Sequence, residues 1–518
     1  MGRKWDTCII AVTVLAAVVA VALSTQAVAQ DRSAAEGHKK HRRYRLVDLG
    51  TFGGPTSYES VSGFGNRVLN NAGVASGWAD TSIPDPYAPN CFGNDGECLL
   101  ARAFRWQDGV RTDLGALPGV NSSAASAINA RGWIVGLSQN GETDPLTGLP
   151  EIRAVLWTDS RIIDLGTLGG NESLATYVNN RGHVVGIADN ATPDEFSFLG
   201  TGYQNRTFVW EKGVMRDIGT LGGPDALPGG GCRNQRKGLV AGLSYVNSTP
   251  NPDTGIPTVA PFLWENGAMT NLGTLGGTLG FAQCANNRGQ ATGASDLAGD
   301  LTAHPFFWDR GVLTDMGTLG GDFGTALWIN NTGEVVGWAD LPGSEVHHAF
   351  LWRHGTMTDL GTLGTNSAAF AINSKRQVVG RSRIDDTTVH AMLWENGGPM
   401  LDLNNLIPPK STLELVDAFD INDRGEIAAL AVPPGVIPDP ESSGAHAVLL
   451  IPCDEKDALK WVGKAELATG MTQSNPVPVV TNATKSTQYS PSPRERVAAW
   501  RAQLTRRYRL PALGTPKR

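Results

Sequence analysis

The sequence predicts an all-β chain, a β-propeller of four-stranded blades, eight in number, with seven as the alternative. Three observations carry this prediction. First, one signature recurs eight times. It reads DLGTFGG from Asp48, DLGALPG from Asp113, DLGTLGG from Asp164, DIGTLGG from Asp217, NLGTLGG from Asn271, DMGTLGG from Asp315, DLGTLG from Asp359 and, degraded, DLNNLIP from Asp402. Second, Asn271 to Asp315 and Asp315 to Asp359 are each 44 residues, within the roughly 40–45 of a four-stranded blade. Third, Gly accounts for 63 of the 518 residues and charged residues for only 18%, a composition of turns and sheet rather than helix.

Each unit then reads as four short strands. An apolar segment ends in an Asn turn: INARG from Ile128, VNNRG from Val178, ANNRG from Ala285, INNTG from Ile329 and INDRG from Ile421. In the seventh copy, INSKR from Ile372, Arg376 stands where the others have Gly. Asn bonds local backbone and Gly takes positive φ, so the pair marks a tight hairpin. WIVG from Trp133, HVVG from His183, EVVG from Glu334 and QVVG from Gln377 form its second strand. A third strand ends at Trp106, Trp157, Trp210, Trp264, Trp308, Trp352 and Trp394, with Leu450 in the eighth copy. A turn such as ENGAM from Glu265 leads to the next DLG strand. The first DLG strand precedes the first Asn turn, and the last set, Phe419 to Ile451, has none after it. Tyr44–Leu49 is therefore expected to complete the last unit and close the ring.

Five segments follow. Residues 1–29 read as a signal peptide, with Arg3 and Lys4, an apolar run from Ile9 to Leu23 and Ala27-Val28-Ala29 as cleavage site. Residues 30–43 read as a basic disordered arm, 44–452 as the propeller and 453–491 as a linker. Residues 492–518 read as a basic amphipathic helix and tail, opened by the capping box Ser492-Pro493-Arg494-Glu495 and striped by Val497, Trp500, Leu504 and Tyr508. The chain is expected outside the cytoplasm, secreted or periplasmic, and monomeric.

The net charge is −7, while the basic ends, His38–Arg45 and Ser492–Arg518, leave the body strongly acidic. That excludes a nucleic-acid-binding face, which would be basic. The basic ends could touch an anionic envelope surface. Cys8 lies in the signal. Cys91 and Cys98 share one loop, CFGNDGEC, and are expected to pair in an oxidising compartment. Cys232 and Cys284 hold the same repeat position and are a second candidate pair, and Cys453 is the fifth.

The run His348-Ala349-Phe350-Leu351-Trp352, together with the signatures above, resembles the HAF extracellular repeat family over about Tyr44 to Pro452. The resemblance implies a secreted or surface-associated bacterial repeat protein and fixes location rather than activity. His recurs as His390 and His446 in the last two units, while others read Pro261-Phe262 or Pro305-Phe306. A histidine site common to all units is excluded.

Repeated residues are expected to be structural, because a binding or catalytic site needs a unique constellation. The Asp of DLG, the turn Asn and the strand-ending Trp fall in this class. Deviations say more. Long inserts, 79–102, 138–153, 187–206 and 243–260, follow the second strands of units one to four and so lie on one face. Four second strands end in a shared acid, Asp80, Asp189, Asp296 and Asp340. Tyr177 and Trp328, on inner strands, are candidate stacking platforms. These six residues are the candidate binding set. No cofactor is expected, and calcium is the one ion the acidic Gly-rich loops could hold. There is no G-x-S-x-G and no H-E-x-x-H. The expectation is a non-catalytic binding or scaffold module, not an enzyme, for an extracellular glycan, envelope polymer or protein. The alternatives are a hydrolase or lyase using rim carboxylates and a purely structural surface protein.

Overall fold

Strand after strand in this chain is a short apolar run between Gly or Asn turns, and each pairs antiparallel with the next. The computed structural model describes residues 43–453, apart from 60–66, 89–90, 93–97, 146–147, 160, 231–237, 253, 410 and 437–443. The expected signal peptide, arm, linker and C-terminal helix thus lie outside the described residues. No α-helix occurs among the described residues.

The strands group in fours. Sheet two is Ser123–Ile128, Ile134–Thr143, Pro150–Thr158 and Arg161–Asp164. Sheet three is Gly169–Val178, Val184–Pro193, Tyr203–Glu211 and Val214–Asp217. Sheet four begins at Ala226–Pro228 and ends at Ala268–Asn271; one parallel pair, Val259 with Leu279, joins it to sheet five. The eighth comprises Glu414–Ile421, Ile427–Val432 and His446–Cys453, and its fourth strand is the N-terminal Arg43–Asp48. The described residues from Tyr44 onward belong to one compact unit.

The repeated residues have repeated tasks. In the DLG signature the Asp or Asn carboxyl or amide oxygen accepts from the Gly N–H two residues on, as in Asp164 to Gly166 at 2.8 Å and Asp359 to Gly361 at 2.7 Å. Each turn Asn caps its own hairpin: Asn129 Oδ1 accepts from the N–H of Arg131 and Trp133 at 2.9 and 3.0 Å. Its amide also reaches the neighbouring sheet, where Asn129 Nδ2 donates to Asn179 O at 2.9 Å. Asn70 donates likewise to Asn129 O, Asn286 to Asn330 O and Asn373 to Asn422 O, each at 3.0 Å. Asn422 Nδ2 then donates to Asn70 O at 3.0 Å across 352 residues of chain. Arg376, at the Gly position of its turn, adopts φ +61°, and its Nε lies 2.6 Å from Glu334 Oε1.

Sheets cover one another through the third strand. Phe104, Phe208, Phe262, Phe306 and Phe350 are fully buried, each worth about 2–3 kcal/mol against exposure. Each pairs with a Gly on the second strand, where a Cβ would meet a first-strand carbonyl oxygen at about 2 Å; at Gly186, opposite Phe208, it would also stand 2.6 Å from Phe208 Cζ.

The histidine of the His348-Ala349-Phe350 run and its counterparts pin strand three to strand four. His304, His348, His390 and His446 each place Nδ1 2.9 Å from a carboxylate of the fourth strand, on Asp315, Asp359, Asp402 and Asp48. His304 precedes Pro305, so histidine recurs in the last four units rather than in three of them.

Candidate functional site

The four shared acids occupy one place in their sheets. Each packs its Cβ under the GG of the preceding signature: a Cβ on Gly170 would stand 2.6 Å from that of Asp189, and one on Gly321 equally close to that of Asp340. Asp80, Asp189, Asp296 and Asp340 are all at most 2% exposed. Packing explains the recurrence. Trp328 is 1% exposed within the largest apolar cluster, and Tyr177 is buried beside Val185 and Phe262. Neither ring is an open stacking platform, because the next sheet covers it.

What separates Asp189 from the other three is its surroundings. Across the strands Asp80 faces Ala101, Asp296 faces Ala303 and Asp340 faces His347, whereas Asp189 faces Asn205. Asn205 Nδ2 donates to Asp189 Oδ1 at 2.6 Å. Glu172, in the bulged start of the first strand of sheet three, lies near enough to feel the charges of Asp189, Asp144 and Glu151. Asp144 and Glu151 come from the end of the sheet-two insert. Glu151 is held by Arg153 at 3.1 Å and by Asn140 at 2.9 Å.

Burial, first of all, pushes the Glu172 carboxyl up to about 8, and those three acids add to it. Burial raises Asp189 to about 7; bonds from Thr201 and Asn205 oppose the rise and Asp144 adds to it. Glu172 is only half-buried, so solvent or a substrate can reach it. Farther along, Asp225 is fully buried and lifted well above the usual carboxylate range by burial and by Asp194. Coupled carboxyls of this kind share protons at neutral pH and titrate as a unit. Glu172 can therefore hold a proton at neutral pH, as a general acid must, while Asp189 is closed to solvent.

Sequence reasoning found Asp189 and missed Glu172 and Asp225. A signal existed. Both stand eight residues after the signature Asp, where units one, two, five and six carry Thr56, Asn121, Leu279 and Phe323. Among the described residues no group of three or more His, Cys, Asp or Glu has the geometry of a metal site. Cys91 and Cys98 form a disulfide with Cα atoms 5.3 Å apart, which indicates an oxidising compartment. Cys284 is also disulfide-bonded; its expected partner, Cys232, lies outside the described residues. No helix among the described residues is long and apolar enough to cross a membrane.

No protein-family model matches the chain, and no curated protein matches it. Solved structures do. The chain is similar to the acylaminoacyl peptidase of Pyrococcus horikoshii, at 13% identity over 74% of this chain and 59% of that one, with a TM-score of 0.39. It is similar to the β-propeller domain of the Trilobed protease of Pyrococcus furiosus, at 10% identity over 67% and 98%, TM-score 0.37. It is similar to dipeptidyl peptidase 4 of Porphyromonas gingivalis, at 10% identity over 64% and 54%, TM-score 0.39. The chain spans less than two thirds of the length of the first and third. The named neighbours are peptidases and stand against the expectation of a non-catalytic binding or scaffold module, but at these identities and TM-scores they carry no argument for what this chain does. They assign no residue of this chain a role.

Proposed function

We propose that this chain is an extracellular hydrolase in which the coupled carboxyls Glu172 and Asp189 do the acid–base work. The observation that carries the reading is the set of raised carboxyls in one unit: Glu172 at about 8 beside Asp189 at about 7, in a chain whose other shared acids face Ala or His. At neutral pH Glu172 holds a proton and keeps part of its surface open to solvent, so it donates to the leaving group. Having given up its proton, the Glu172 carboxylate takes one from the attacking water and is reset; Asp189, buried beside it, does not touch the water but raises the proton affinity of Glu172.

The proposed scaffold is a closed propeller of eight blades of the HAF type, secreted after cleavage near Ala29. Support for closure comes from the N-terminal strand pairing in the last sheet, its His446–Asp48 pin and the Asn422 to Asn70 bond. Antiparallel connection puts the long inserts and the carboxyl pair on the same face.

The test is a panel of chromogenic peptides and glycosides with the mature chain, Glu172→Gln and Asp189→Asn. Turnover that falls about 100-fold or more in both variants, at unchanged melting temperature, is expected. Turnover that survives both substitutions, or none by the mature chain on any substrate, overturns the reading.

A further inference from the structure

The residue that fixes Asp189 does not come from a repeated signature. Asn205 is the third residue of the third strand of sheet three, Tyr203–Glu211, near the end of the insert 187–206. It is fully buried, and both polar atoms of its side chain are engaged. Its Nδ2 donates to Asp189 Oδ1 at 2.6 Å and to Thr201 Oγ1 at 3.1 Å. Its Oδ1 accepts from Leu199 N–H at 2.6 Å and from Ser197 Oγ at 3.0 Å. Two donors on one side and two acceptances on the other leave the amide a single orientation, with its N–H edge on the carboxylate.

The insert that supplies those partners is itself clamped to sheet four. Asp225 takes the N–H of Phe198 on one oxygen at 2.6 Å and of Asn205 on the other at 2.9 Å. Phe198 stacks on Tyr245 with ring centroids 4.1 Å apart, and Tyr245 Oη donates to Phe196 O at 3.1 Å. Phe196 and Phe198 are buried with Leu227 and Val259 of sheet four. Three consecutive layers, Asp189, Asn205 and Asp225, therefore link the pair to the next unit.

We propose that Asn205 is the positioning residue of the carboxyl pair, orienting Asp189 through an amide that the clamped insert holds in place. The inference rests on the hydrolase reading for its purpose, but the positioning itself does not need turnover to be observed. Hydrogen bonding to the ionised carboxylate favours the charged form, so Asn205 restrains the rise that burial and Asp144 impose on Asp189. Other charged groups near Asp189 and the insert are the acids Glu172, Glu151, Asp194, Glu195 and Asp225, with Arg153 on Glu151 at 3.1 Å and Arg206 on Asp217 at 2.8 Å. Both cations are held by other acids, and the bonds that oppose the rise at Asp189 come from Thr201 and Asn205.

The experiment reads the Asp189 carboxyl by carbon NMR during a pH titration of the full mature chain, in wild type, Asn205→Ala and Ser197→Ala. In Asn205→Ala the Asp189 midpoint is expected to move up by about one unit, a tenfold change in proton affinity. Ser197→Ala, which keeps the amide but removes one of its anchors, should give a smaller shift in the same direction at unchanged melting temperature. Where a substrate from the panel is turned over, the limb of the pH–rate profile should move with the midpoint while KM stays constant. An Asp189 midpoint unchanged in both folded variants overturns the inference, whatever the panel gives. Should Asn205→Ala unfold, an unchanged midpoint in Ser197→Ala overturns it alone. Shifts in both variants with no turnover by wild type would leave the positioning intact and remove the hydrolase reading.

Discussion

Units five to eight and units two to four are built from the same signatures and spend one position differently. In the later units the residue before the third-strand Ala or Pro is His, pinned to the fourth-strand Asp. In unit three the same position is Arg206, on Asp217 at 2.8 Å. In unit two it is Arg153, which turns away from the fourth strand to Glu151 in the carboxyl group. The later half is regular, with a histidine pin in every unit; the earlier half carries the long inserts.

The largest expected effect lies in the turn amides, which both halves share. Asn422→Ala removes one of two bonds to the Asn70 carbonyl, which Gly73 N–H still reaches, and leaves the hairpin N–H groups of Arg424 and Glu426 without their acceptor. A loss of about 2–3 kcal/mol in denaturant unfolding is expected. A loss no greater than that of an exposed Asn would break the idea that these bonds tie first unit to last.

The raised carboxyls of unit three and the aspartates pinned by His304 and His446 should respond oppositely to pH. Glu172 and Asp189 have folded values raised above their ordinary 4.5 and 3.8. Their contribution to stability is complete below those ordinary values and is lost as pH rises toward about 8 and 7. Asp315 and Asp48 run the other way. Burial alone would raise them, but the bonds and charges of His304 and His446 and the N–H of Gly317 and Gly50 hold them below 3.8. Their contribution is present above 3.8 and lost as pH falls through the folded values. His390, raised above 6.5 chiefly by its bond to Asp402, contributes fully below 6.5 and loses that as pH rises through its folded value. Hydrogen exchange by segment is expected to show the strands around Glu172 loosening in mild alkali, and those around His304 and His446 in acid. Glu172→Gln should flatten the alkaline loss. Identical pH profiles in the two sets of strands would contradict the contrast.

A smaller effect is expected at the N-terminal strand. His446→Ala removes the pin to Asp48 but leaves the strand's backbone bonds and Leu49 N–H to Ala447 O. Because the pair is part-exposed, about 0.2–1 kcal/mol is at stake, read as faster exchange of Arg43–Asp48 and little change elsewhere.

Much of this architecture was legible in the sequence. Strand count per unit, hairpin turns, the spare N-terminal strand and the Cys91–Cys98 bond follow from residues whose roles are local: Gly for positive φ, Asn and Asp for turn N–H groups, alternation for strands. The repeated Asp80, Asp296 and Asp340 looked like a binding set because exposure cannot be read from recurrence; they are buried under the GG loops. Glu172 was overlooked because its meaning depends on Asp144 and Glu151, which belong to another sheet. Its position in the repeat was the available sign, an acid where other units carry Thr, Asn, Leu or Phe. Asn205 gave no sign at all, since its role depends on the fold of an irregular insert.

The central claim is that the broken part of the repeat keeps a proton on Glu172 at neutral pH. The most direct measurement is a carbon NMR titration of the Glu172 carboxyl in the wild-type mature chain, assigned by comparison with Glu172→Gln. A midpoint near 8, falling when Asp189 is replaced by Asn, is the predicted result. A midpoint near the ordinary 4.5, insensitive to Asp189, would contradict the account.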